Sequence, residues 1–200
     1  MANTNAPFGF RPSRKIDGSV PNYQLVSRRI AYNYATKIAK GDLVTTLADG
    51  TIGIRAGGGS LPTLGVFWGC RYNDPTLGSI DVNSWVAPTL VSTTVVEALV
   101  YVDKNMIYQC RIGGSTGTLT QADVGANFDT GGDSTPIPTG SANGFSTAYL
   151  LTTGNTTATF PWKLWSLGNQ IQGNSPLEAY AIVEVVPNFA ELYYTTGLTT

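Results

Sequence analysis

The stretch VVEALVYVDKNMIYQCRI (95–112) decides how this chain is read. Two β-rich runs, 95–102 and 106–112, flank Asp103-Lys104-Asn105, a three-residue connection suited to a bulged hairpin turn. Glu97, Gln109 and Arg111 are the candidates for the wet side of the two strands.

Working outward, GDLVTTLADGTIGI (41–54) repeats the pattern. Two β-rich pieces flank Asp49-Gly50, a dipeptide that suits a type I′ turn because that turn needs positive φ. TLGVFWGCRY (63–72) is mostly apolar and reads as a strand buried on both faces. TTATFPWKLWSLG (156–168) carries Trp162 and Trp165, and EAYAIVEVVP (178–187) is a strand stopped by Pro187. NFAELYY (188–194) has room for a helical turn or two. YQLVSRRI (23–30) alternates loosely and fits an edge strand or the continuation of a leader. A long loop region covers about 113–148, with Gly131-Gly132, Pro136 and Pro138 opposing regular structure. No repeat of fixed period appears. The sum is eight to eleven short strands, which predicts an all-β fold: a single antiparallel β-barrel or a jelly-roll-like sandwich.

Composition agrees. The chain has 200 residues, of which 42% are hydrophobic, enough for one substantial core. Charged residues make up 12%, against an ordinary share of about 25%. A surface this poor in charge is a solubility hazard for a free monomer, so much of it is expected to be covered by neighbours.

The net charge of −1 hides an asymmetry: residues 1–40 hold seven of the twelve cations and one of the thirteen anions. The opening MANTNAPFGFRPSRK (1–15) forms no obvious helix, because Pro7 and Pro12 interrupt it and Gly9 loosens the backbone between Phe8 and Phe10. Its basic residues follow the aromatics, and no apolar run comes next, so it lacks the pattern of a secretory signal. Residues 1–22 therefore read as an extended basic arm ahead of a body at 23–200. The arm could lie on another, anionic surface, or fold back onto its own body.

Chemistry is sparse. The chain has no histidine, which removes the commonest general base and metal ligand and rules out Ser-His and Cys-His schemes in cis. The aspartates sit mostly in turn contexts (KGDL, LADG, YNDP, DTGGD), where they bond their own backbone. The Gly-rich AGGGS and IGGSTG match no phosphate-binding pattern, and DTGGDS lacks the spacing of a calcium loop. Cys70 and Cys110 have no metal-site spacing and read as buried thiols, although a pairing stays open. No apolar run approaches the roughly 20 residues that span a bilayer, and the acidic body offers nucleic acid no basic groove. The residues thus point to a non-enzymatic protein without cofactor, metal, nucleic-acid or membrane partner.

The opening ANTNAPFGFRPSRKIDGS resembles the start of the capsid cement (decoration) proteins of tailed bacteriophages. Further short likenesses follow in order: KGDLVT, LGVFWGCRY, VYVDKNMIYQCRI, LTQADVGANFD and EAYAIVEVVPN. The resemblance implies a β-rich structural protein, made in the host cytoplasm and carried on the outer surface of the virion. There it would bridge neighbouring subunits of the major capsid protein and stabilise the shell. It also implies a homo-oligomer, with a trimer favoured over a dimer. On this reading Phe8 and Phe10 enter apolar clefts between capsid subunits, while Arg11, Arg14, Lys15 and the Arg28-Arg29 pair meet carboxylates. Removing residues 1–20 would then weaken shell binding and leave the body folded. The competing reading is a carbohydrate- or host-surface-binding β-module in which Trp162, Trp165 and Tyr149 stack on sugars.

Overall fold

The structure is a computed structural model, and it describes residues 3, 6, 8–21, 25–55, 62–86, 89–113, 118–131, 144–154, 156–169, 171, 173–188 and 190–191. In chain order its strands are β1 (Arg11–Lys15), β2 (Leu25–Ile30), β3 (Ile38–Ala39), β4 (Leu43–Thr46), β5 (Ile52–Ile54), β6 (Gly65–Asp74), β7 (Gly78–Val82), β8 (Ser84–Trp85), β9 (Val96–Tyr101), β10 (Met106–Arg111), β11 (Asn127–Phe128), β12 (Thr130–Gly131), β13 (Tyr149–Leu150), β14 (Trp162–Ser166) and β15 (Ile182–Pro187). The fold is all-β.

Two antiparallel sheets dominate. The first runs β1-β10-β15-β14-β11; the second runs β2-β9-β6-β4-β5, with β7 pairing the far half of β6. Small pairs β3–β8 and β12–β13 complete the framework. The sheets are sandwich-like, and no closed barrel forms among the described residues. The end strands of the second sheet, β2 and β5, do approach each other. They are bridged rather than paired: the Tyr34 hydroxyl accepts the Ile54 N–H at 2.8 Å, and the Tyr34 carbonyl accepts the Trp85 indole N–H at 2.8 Å.

The 95–112 hairpin is corrected by this topology. The turn exists, with the Asp103 carboxylate accepting the Asn105 N–H at 2.8 Å. Its two arms, however, lie in different sheets: β9 sits between β2 and β6, and β10 between β1 and β15. Both runs are apolar on alternate and intervening positions, and such strands gain most when neighbours cover both edges and both faces. The connection therefore turns from one layer to the other. The β1-to-β2 connection makes the same crossing beside it, as at the corner of a jelly roll.

The Asp49-Gly50 hairpin does form, with Thr46 opposite Ile52. Its turn is not type I′, since only Gly50 has positive φ (78°). The Gly50 N–H reaches the Leu47 carbonyl, and the Leu47 N–H reaches Thr51 O. This is a type I turn closed by a left-handed glycine, the bulged alternative for right-twisted strands.

Alternation along the second sheet divides the apolar residues into two cores. Leu43, Val66 and Tyr101 face the first sheet and join Phe10, Tyr108, Cys110, Trp162, Leu164, Val183 and Val185. Val44, Phe67, Cys70, Ala98 and Val100 point the other way, into a second cluster closed by Ile38 and Trp85. Cys70 and Cys110 thus lie in separate cores as free thiols. A buried Arg55–Asp129 ion pair at 3.3 Å ties the end of β5 to the segment between β11 and β12. Residues 178–181, read from sequence as the start of the last strand, form a turn in which Tyr180 has φ of 59°. Ala190 bridges Thr63 in parallel, and residues 192–194 lie outside the described residues.

Candidate interaction surface

The leader is the segment on which the sequence places function, and its geometry follows from two glycines. Gly9 (φ 70°) and Gly41 (φ 98°) cross at close range: a side chain on Gly9 would lie 2.6 Å from Ser146 Cβ and 2.7 Å from Gly41 O. Only glycine permits both the left-handed backbone and this approach. The crossing is fixed by the Phe10 N–H donating to Gly41 O at 2.9 Å. It aims Phe10 inward, where its ring is fully buried.

Phe10 stacks on Trp162, and Trp162 also meets Tyr108 at 5.1 Å between centroids. Burying such a ring stabilises by about 1.5–3 kcal/mol, with roughly 0.5–1.5 more from the aromatic contact. Phe10 is therefore a keystone of its own core and not an anchor for another protein, which corrects the sequence reading. Phe8, on the other side of Gly9, stays half-buried at the surface, with the Arg11 guanidinium 4.6 Å from its ring centre.

Residues 11–15 are equally committed. They form the outermost strand of the first sheet, paired with β10 through a bulge between Pro12 and Arg14. Arg11 donates to the Gln109 side chain at 3.0 Å. Arg14 makes a forked contact with Glu184, 2.6 Å at the shorter arm, and this raises the Arg14 pKa. Glu184 is buried and Arg14 about half exposed. Lys15 lies 3.6 Å from Asp103. Further upstream, the Asn3 side chain donates to the Ser175 and Ala179 carbonyls and accepts the Ser175 N–H. Of the two fates open to the leader, the described residues take the second: they fold back onto their own body. Because these residues contribute Phe10 and β1 to the body, removing residues 1–20 is expected to destabilise the body as well as any docking surface.

Arg28 and Arg29 are not brought together. Consecutive strand residues point to opposite faces, so Arg28 sits opposite Ala98, and Arg29 opposite Glu97 on the other face. Among the sugar-stacking candidates, Trp162 is core and the Tyr149 ring packs over Gly113 and Gly131. Trp165 alone of the three is substantially exposed, beside Lys163 on β14.

What remains is a sheet edge, β1, beyond which no strand pairs among the described residues, studded by Phe8–Arg11 and Arg14–Glu184. Edge strands with unpaired backbone groups are natural docking lines, and Pro12, the bulge and the arginines keep this one from pairing indiscriminately. Sequence could not assign Glu184, Gln109 and Asp103 to this edge: Glu184 and Gln109 stand out as polar residues amid apolar strands and Asp103 as a turn residue, but their partners are not legible. Among the described residues no group of three or more His, Cys, Asp or Glu could hold a metal ion. No protein-family model, curated protein or solved structure matches this chain.

Proposed function

We propose that this is a non-enzymatic structural virion protein that binds the outer surface of a tailed-phage capsid, bridges neighbouring major capsid protein subunits and stabilises the shell. The reading rests on the resemblance of its short motifs to capsid cement proteins. The observation that carries the docking surface is the β1 edge, where Phe8 and Arg11 stand at the rim of a strand locked from behind by Phe10. A pre-formed edge forfeits little conformational entropy on docking, unlike a free arm. Arg11 and the exposed part of Arg14 offer planar donors to carboxylates, and Phe8 offers a partly desolvated ring. Repetition of modest contacts over many shell subunits then supplies avidity.

The test is decoration of purified shells lacking this protein, followed by sedimentation. Phe8→Ala combined with Arg11→Glu changes only surface side chains and is expected to weaken decoration at least about tenfold, as loss of an aromatic–arginine anchor does. Undiminished decoration by that folded variant would exclude the β1 edge as the contact. Failure of the intact chain to decorate any shell would remove the virion reading itself.

A further inference from the structure

Four segments of the chain meet at Gly41. Its N–H donates to the Phe67 carbonyl at 2.8 Å, and its carbonyl accepts the Phe10 N–H. Lys40 bridges Phe145 in parallel, with the Lys40 N–H donating to the Gly144 carbonyl at 2.9 Å and the Ser146 N–H donating to the Lys40 carbonyl at 2.8 Å. The Phe8 carbonyl oxygen lies 2.9 Å from where a side chain on Gly41 would begin. Beside this junction each segment carries one side chain that keeps contact with water. Lys40, Trp68 and Phe8 are half-buried, and Phe145 is exposed.

The Lys40 ammonium stands 3.4 Å from the centre of the Trp68 ring and 5.9 Å from that of Phe145. Trp68 is itself held edge-on against Tyr101, at 5.0 Å between centroids. Burial lowers the Lys40 pKa, and no nearby carboxylate raises it. Arg14, Lys15, Arg55 and Arg71 each meet a carboxylate, whereas Lys40 meets none among the described residues. Aromatic faces attract a cation through their quadrupole but bring no negative charge. A cation partly withdrawn from water with no counter-charge has lost hydration that an arriving anion offsets.

We propose that Lys40, framed by Trp68 and Phe145, receives an acidic side chain projecting from a subunit of the major capsid protein. This rests on the virion reading and adds to it the chemistry of the partner. An aspartate or glutamate can set an oxygen on the ammonium in a charge-assisted hydrogen bond while its methylenes lie against the exposed Phe145 ring. The site is continuous with the β1 edge. Phe8, Lys40 and Phe145 all lie within two residues of the Gly9–Gly41 crossing, and at no more than about 3.6 Å per residue they share one ordinary footprint of about 800 Å². Trp68 stands two residues from Val66, which the first sheet covers, so a slender projecting group fits here and a stacked sheet does not.

The experiment is decoration of purified shells lacking this protein by the intact chain and by Lys40→Gln, at low and raised salt, with folding checked by circular dichroism. Lys40→Gln is expected to weaken decoration about 30-fold or more at low salt, and the difference is expected to shrink as salt rises. A second readout needs no variant: on decorated shells Lys40 is expected to be shielded from an amine-acylating reagent, as read by mass spectrometry against the free protein. Undiminished decoration by folded Lys40→Gln, or equal labelling of Lys40 in free and docked protein, would overturn the proposal and leave the β1 edge standing. Self-association of the intact chain without shells, lost in Lys40→Gln by sedimentation equilibrium, would assign the site to a second copy and overturn it too. An intact chain that decorates no shell would remove this proposal together with the virion reading.

Discussion

The ring of Phe10 lies on the indole of Trp162, with centroids 4.7 Å apart and planes 16° from parallel. This contact joins the start of the chain to a strand some 150 residues later, and it turns an apparent arm into part of the core. Phe10→Ala empties a fully buried aromatic site, and a loss of about 3–5 kcal/mol is expected in urea denaturation. Phe8→Ala, at the surface, is expected to cost less than about 1 kcal/mol. Equal effects of the two would contradict the burial described here.

Gly9 supplies a second, independent check on the leader. Gly9→Ala places a methyl against Ser146 and the Gly41 carbonyl and forces a left-handed alanine. Backbone strain and collision together are expected to cost about 2–4 kcal/mol, read as a lowered thermal midpoint. Gly18→Ala is the control: its φ is also positive, but nothing lies within 4 Å, so only the smaller conformational penalty of about 1 kcal/mol is expected.

The Arg55–Asp129 pair is buried on both sides, with Arg55 fully enclosed. Asp129→Ala leaves a guanidinium in the interior without its carboxylate, and a loss of about 3–5 kcal/mol is expected. Replacing both, Arg55→Met with Asp129→Leu, is expected to recover most of it, because two apolar side chains carry no desolvation cost. Chemical denaturation of the three proteins decides the matter.

Burial pushes the Cys70 thiol up to about 12, and the Cys110 thiol well above its ordinary value. The folded state thus favours the neutral thiols. Their contribution to stability is complete below the unfolded value near 8.5 and is lost as pH rises from there towards about 12, at up to about 1.4 kcal/mol per pH unit for each thiol. Denaturation midpoints are expected to fall over that interval, and to fall less in Cys70→Ala, Cys110→Ala protein. At neutral pH both thiols should resist alkylation until the chain unfolds. Rapid labelling of the native protein would contradict their enclosure.

Local reading of the sequence recovered the runs that become β2, β4, β5, β6, β9, β10 and β15, and with them the all-β class, because period-two alternation and turn residues act over a few positions. The 41–54 hairpin and the long β6 were legible in that way, and of the two readings open to 23–30 the structure takes the edge strand. The turn type at Asp49-Gly50 was not, since both hairpin turns accept the same dipeptide and the twist of the flanking strands chooses between them. The candidate contact residues fared less well. Phe8 and Phe10 are alike in sequence, and only the crossing of Gly9 with Gly41 sends one into the core and leaves the other outside. Arg28 and Arg29 are adjacent in the chain, yet pairing with β9 puts them on opposite faces.

By itself, then, the sequence determined an all-β chain without histidine, with paired aromatics and a basic beginning, since composition and short-range periodicity are properties of the chain alone. Tertiary structure decided which strands share a sheet, which of two phenylalanines is buried, and that Arg29, Glu97, Arg71 and Asp81 stand in one row. Those outcomes depend on contacts between residues far apart in sequence. Their energies arise only when the two layers close over a common core, and no local pattern encodes them.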